Sequence, residues 1–191
     1  MRQVLAALTV ALLAACQPVA SADEAPEIVT RWDHRPEAPV WNAAMVEALT
    51  GKQAAMLAEI PRDAADFCPG YARAETEARA AFWVAFFSGL ARFESGWRPE
   101  AAGAGGRYRG LLQISPATAR HHRCQMDSAD ALYDGATNLT CATRIAASAV
   151  QRDGVIATGR GGVARDWPPL RNPRKRAEIA EFTRTLPVCT G

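Results

Sequence analysis

Residues 75–93 leave this chain little choice of fold. Phe82, Phe86, Leu90 and Phe93 recur at i, i+4, i+8 and i+11, one stripe of a helix. Val84, Ala85, Phe87 and Gly89 fill most of the other faces, so a helix here has no polar side to turn to water and must be covered nearly all round. Its apolar stretch falls short of the roughly 20 residues that cross a bilayer. Glu75, Glu77 and Arg79 precede it, so the cover has to be protein.

The rest of the chain offers that cover in short pieces. A first helix is expected over residues 41–60, anchored by Met45, Leu49, Met56 and Ile60 and stopped by Pro61. Ser115 and Pro116 read as the cap and first residue of a helix reaching about His122. Another should follow Asn138, turning Leu139, Ala142, Ile145, Ala146 and Ala149 inward, and a last one should span residues 173–185. Residues 109–114 read as a short extended segment and 154–162 as loop, with no repeat and no sheet. The expected fold class is therefore mostly α, a single domain of short helices around one buried helix. A chain of 191 residues, 49% hydrophobic and 22% charged, fits that description.

The N-terminus reads differently. Met1-Arg2 gives a positive start, and residues 4–15 form a short apolar run, broken only by Thr9, that ends in Leu13-Ala14-Ala15-Cys16. A run of that length before small residues is an export signal and not a membrane span. Its ending resembles a bacterial lipoprotein signal, which implies diacylation of Cys16. Gln17 after it suggests sorting to the outer membrane. Residues 17–40 carry Pro18, Pro26, Pro36 and Pro39 without apolar periodicity and read as a flexible tether, which leaves 41–191 as the folded domain. Export also suits the remaining cysteines, since Cys68, Cys124, Cys141 and Cys189 are even in number and bound for an oxidising compartment. Of the three pairings possible, Cys124 with Cys141 and Cys68 with Cys189 are favoured. The first would close a short loop between helices, and the second would tie the C-terminal tail to the start of the folded domain. A zinc site at His121, His122 and Cys124 is the weaker reading, because adjacent histidines point apart and no second ligand pair stands at zinc spacing. A net charge of +2 does not point to nucleic acid.

The chemistry concentrates after the apolar helix. Glu94 ends it, and Gly96 breaks the chain. A carboxyl at the end of an apolar helix facing a cleft is partly desolvated, which disfavours its charged form and suits it to donate a proton to a leaving sugar oxygen. On its own Glu94 reads as readily as a helix-end residue paired with Arg92 or Arg98. The wider pattern changes that reading. Glu94-Ser95-Gly96-Trp97, then Gly110-Leu111-Leu112-Gln113-Ile114, then Pro116-Ala117-Thr118-Ala119, then Leu132-Tyr133-Asp134 and Asn138-Leu139 stand in order along residues 82–150. Together they resemble the soluble-type lytic transglycosylases, relatives of goose-type lysozyme.

That resemblance implies a lysozyme-like helical domain with a buried central helix and a cleft for peptidoglycan strands. It implies cleavage of the MurNAc–GlcNAc bond by Glu94 as single acid/base, with the muramic C6 hydroxyl as nucleophile and 1,6-anhydroMurNAc ends as products. No cofactor or metal is implied, and a monomer in the periplasm is expected, held to the outer membrane by its lipid. Substrate contacts are expected from Ser95, from the 110–114 segment (Gly110, Leu111, Leu112 and Gln113), from Tyr133 and from Asn138, the last equally a backbone-bonding residue. Glu100, Asp127, Asp130 and Asp134 read as loop or cap residues, which leaves Glu94 without the carboxylate partner that hydrolysis requires. One departure stands out: residues 155–162 lack the family's Tyr-bearing segment, and Trp167 is the candidate replacement as an aromatic wall. A hydrolytic muramidase on the same fold, or a non-catalytic peptidoglycan-binding lipoprotein, are the competing readings.

Overall fold

A computed structural model describes residues 26–190, so the export signal, Cys16 and the first part of the expected tether lie outside the described residues. The described helices run α1 Ala38–Thr50, α2 Ala54–Ala58, α3 Ala64–Phe67, α4 Thr76–Glu94, α5 Pro116–His121, α6 Gly135–Asp153, α7 Pro173–Arg184 and α8 Pro187–Thr190. Two short strands, β1 Ala102–Gly103 and β2 Tyr108–Arg109, pair antiparallel between α4 and α5. Short 3-10 turns fill several connections. No described helix is long and apolar enough to cross a membrane.

α4 is the axis of the molecule. Every residue from Ala80 to Ala91 is buried, as its composition requires. α1 and α7 pack along it, and α2 and α8 touch it as well. Its aromatic rings meet edge to face, Trp83 against Phe82 and Phe86 at 5.3 Å each, the arrangement favoured by the ring quadrupoles. The Trp83 indole donates to the Tyr71 hydroxyl at 3.0 Å, so the one polar atom of that ring is satisfied inside the core.

Three expectations needed revision. The packed structure begins well before residue 41: Trp32 is fully buried, stands edge-on to Trp41 at 5.6 Å and donates to Asn42 Oδ1 at 2.8 Å. The Arg31 amide reaches Ser88 on α4 at 2.9 Å. Residues 28–40 are therefore part of the domain, because one buried tryptophan outweighs the polar, proline-bearing residues around it. The expected helix over 41–60 is two helices, broken where Gly51 takes a non-helical conformation and Gln53 bonds back to Ala48. A small antiparallel pair exists where no sheet was expected.

Other expectations were met. Ser115 caps α5 by accepting from Thr118 N at 3.0 Å. Asp134 caps α6 by accepting from Thr137 N at 2.8 Å. Cys68–Cys189 and Cys124–Cys141 are both disulfides. The first encloses 121 residues of separation and brings the tail beside Gly70, whose amide donates to Cys189 O at 3.2 Å. Restraining so long a loop in the unfolded chain is worth about 4–5 kcal/mol in the chain-entropy model, against about 3 kcal/mol for the 17-residue separation of the second. Removing Cys68–Cys189 by paired Cys→Ser substitution is therefore expected to lower unfolding free energy more than removing Cys124–Cys141. Urea unfolding of both variants checks the order, and equal losses would refute the loop-length argument.

Candidate active site

The site is built from the end of α4. After Glu94 the backbone reverses at Gly96 (φ +62°) and Trp97 (φ +61°), both left-handed. The Trp97 indole anchors this reversal by donating to Ser88 O at 2.8 Å, and His34 stands edge-on to the Trp97 ring at 4.9 Å. Ser95 is buried, with its hydroxyl donating to Ala91 O at 3.3 Å and accepting from Arg98 N at 3.3 Å. It thus holds the turn that presents Glu94. Its hydroxyl bonds backbone and not Glu94, so its role in the structure is positioning.

Glu94 is half-buried, and its Oε1 is buried without a hydrogen bond among the described residues. Burial pushes the carboxyl up to about 7 from its ordinary 4.5, with the positive charge of Lys175 opposing the rise. The simple ion-pair reading fails, because both candidate arginines are engaged elsewhere. Arg92 pairs with Glu178, and Arg98 Nε donates to Ser95 O at 2.9 Å. A carboxylic acid that keeps its proton near neutral pH is poised to act as general acid.

The 110–114 segment is braced from behind by Asn138. That side chain is fully buried, accepting from Leu112 N at 2.9 Å and donating to Arg109 O and Leu132 O at 2.9 Å each. Asn138 therefore bonds backbone on three sides, one turn inside α6, and does not face a ligand. Gly110 (φ +76°) lies so close that a Cβ there would stand 2.1 Å from Leu132 O and 2.3 Å from Asn138 Nδ2. Gln113, also left-handed at φ +46°, donates through Nε2 to Ala101 O at 3.1 Å and Gly110 O at 2.9 Å. Its amide thereby ties the segment to the turn leaving α4. A Cβ on Gly103 would stand 2.3 Å from Gln113 Oε1, which gives the glycine-rich interval a packing reason.

Leu111 and Leu112 are fully buried, and both backbone polar groups of Leu112 are occupied, by Asn138 and by the Trp167 indole at 2.8 Å. Both leucine side chains are part of the core. Trp167 is likewise buried, edge-on to Phe87 at 5.9 Å, so it is core and not the aromatic wall expected in place of the missing tyrosine. Tyr133 is half-buried beneath the Arg109 guanidinium at 5.4 Å, and Arg109 in turn holds Asp130 at 2.6 Å. Cys124 belongs to a disulfide, which removes it from the zinc reading at His121 and His122. The cavity of about 360 Å³ beside that disulfide is lined by α1, α6 and their neighbours and includes no residue of the α4 end.

Lys175 is the residue that sequence reasoning passed over. It stands in the first turn of α7 with its Nζ 5.3 Å from the centre of the Phe93 ring, beside Glu94. A faint signal existed, since Lys52 and Lys175 are the only lysines in an arginine-rich chain.

Comparison with known proteins finds a family model and similar solved structures. Residues 72–156 match the family model described as the Transglycosylase SLT domain. Solved structures of Bd0314 DslA are similar over 85% of this chain and 98% of theirs. Two glutamate-to-glutamine mutants match at TM-scores of 0.78 and 0.76, with 29% and 30% identity. The wild-type form 2 matches at 0.76, with 29% identity. No curated protein matches the chain.

Proposed function

From the premise that this chain belongs to the SLT transglycosylase family, whose members act on peptidoglycan in the periplasm, we propose that it cleaves the MurNAc–GlcNAc glycosidic bond with Glu94 as sole acid/base and leaves 1,6-anhydroMurNAc ends. The observation that carries this reading is the half-buried Glu94 carboxyl, whose buried Oε1 makes no hydrogen bond among the described residues and which burial raises to about 7. Protonated Glu94 gives its proton to the leaving GlcNAc O4 as the C1–O4 bond breaks. The resulting carboxylate takes the proton of the muramic C6 hydroxyl as O6 bonds to C1. The residue ends protonated again, and no water enters the reaction.

The neighbouring carboxylates favour this route over hydrolysis. Asp134 caps α6, Asp130 is held by Arg109, and Glu178 is held by Arg92 and Arg31. The charge that bears on Glu94 among the described residues is the positive one of Lys175, whereas the two-carboxylate mechanism needs a second carboxylate about 5 to 9.5 Å away. Tyr133, half-buried at the rim formed with Arg109, is the proposed sugar-facing aromatic. Ser95, Gln113 and Asn138 act by holding backbone. Attachment to the outer membrane through diacylated Cys16 completes the proposal.

Mass spectrometry of fragments released from purified sacculi tests it. Anhydro-terminated products are expected, at a rate that falls as pH rises through about 7, because the reactive form of Glu94 is the protonated one. Reducing ends would mean hydrolysis. A folded chain that releases nothing would mean a binding role.

A further inference from the structure

The end of α4 carries more positive charge than its carboxylates balance. Glu178 serves two guanidiniums at once, Arg31 at 3.1 Å and Arg92. Arg171 and Arg174 are exposed just before Lys175, with the Arg171 guanidinium turned onto the carbonyls of Ala164 and Arg165. Lys175 itself is half-buried, and its ammonium has no hydrogen bond and no ion pair among the described residues. The Phe93 ring face meets it on one side, which offsets part of its lost hydration, while its three donors remain unused. A half-buried ammonium in that condition is a site for an incoming anion.

We propose that Lys175 docks a carboxylate of the muramic residue at the scissile bond, and so sets which sugar of the strand lies against Glu94. This rests on the peptidoglycan reading above. GlcNAc is neutral, whereas the muramic residue carries a carboxylate, either on its lactyl group when bare or on its stem peptide. Both sources present the same chemistry to an ammonium. A carboxylate fixed at Lys175, one residue from Glu94 through Phe93, places the muramic unit next to the acid. A strand shifted by one sugar would leave the ammonium unmatched.

The test uses the full-length chain and three substrates: intact sacculi, strands stripped of stems by an amidase, and sacculi whose carboxylates have been amidated with carbodiimide and ethanolamine. Lys175→Gln is expected to raise KM about tenfold on carboxylate-bearing substrate with kcat within about twofold, the size of one charge-assisted contact. Lys175→Arg should stay near wild type, because it keeps the charge. On amidated sacculi, wild type and Lys175→Gln should have equal KM. A loss confined to stripped strands, where amidase has freed it, assigns the lactyl carboxylate, and a loss confined to intact sacculi assigns the stem. Unchanged KM for Lys175→Gln on both intact sacculi and stripped strands overturns the proposal, as does an equal loss on amidated sacculi. Co-sedimentation with sacculi, comparing Glu94→Gln with and without Lys175→Gln, reads docking apart from cleavage. If wild type cleaves nothing, the catalytic reading fails while this comparison still decides whether Lys175 holds a carboxylate.

Discussion

Glu94→Gln is expected to reduce cleavage of sacculi about a thousandfold and, at the same time, to stabilise the fold at alkaline pH. The activity loss follows from removing the proposed general acid, the size being that of general acid catalysis. The stability gain follows from linkage. The carboxyl titrates near 7 in the folded chain and near 4.5 when unfolded, because the end of α4 keeps water from it. Below pH 4.5 both states hold the proton and the site costs nothing. As pH rises from there, the unfolded chain ionises first and stability falls, reaching a loss on the order of 3 kcal/mol above pH 7. Glutamine has no proton to lose. The variant should therefore match wild type in urea unfolding at pH 4 and exceed it at pH 8. Equal midpoints at pH 8 would mean that Glu94 is not desolvated as its surroundings require. A variant that is stable yet fully active would remove Glu94 from the mechanism.

Gly110→Ala is expected to destabilise the chain by about 4 kcal/mol and to abolish activity with it. Part of the cost is the left-handed backbone at φ +76°, about 1–2 kcal/mol for a residue with a Cβ. The larger part is contact. The new methyl would stand within 2.3 Å of both Leu132 O and Asn138 Nδ2, which are themselves hydrogen-bonded to each other. Displacing Asn138 leaves buried polar groups unpaired at about 1–3 kcal/mol each. Gly106→Ala is the control: its φ of +85° is also left-handed, yet nothing lies within 4 Å of its Cβ position. That variant should lose only the backbone component. If the two variants unfold at the same urea concentration, Asn138 is not the brace described above.

Gly110 also shows why parts of the site were legible and others were not. The motif containing it could be read from residue order alone, but its fixed conformation depends on Leu132 and Asn138 pressing from another element. Ser95 was expected at the acid or the sugar because it adjoins Glu94. Neighbouring residues on a helix end point in different directions, and this hydroxyl turns back to Ala91 and Arg98. Leu111 and Leu112 were expected along the cleft, and their side chains are buried in the core.

What the sequence by itself determined was whatever depends on residues within a turn or two of each other. The apolar periodicity of residues 82–93 dictated a helix covered on all sides. Ser115 and Asp134 marked helix starts through hydrogen bonds spanning three residues. The step from Phe93 to Gly96 placed a carboxyl at the end of that helix. Only the tertiary structure decided that Trp32 and Trp167 are core, that Asn138 braces the 110–114 segment, and that Lys175 reaches Phe93 and Glu94 from α7. Each of these depends on contact between segments far apart in the chain. Burial and charge pairing at such contacts are set by where helices cross, which leaves no periodic trace in either segment.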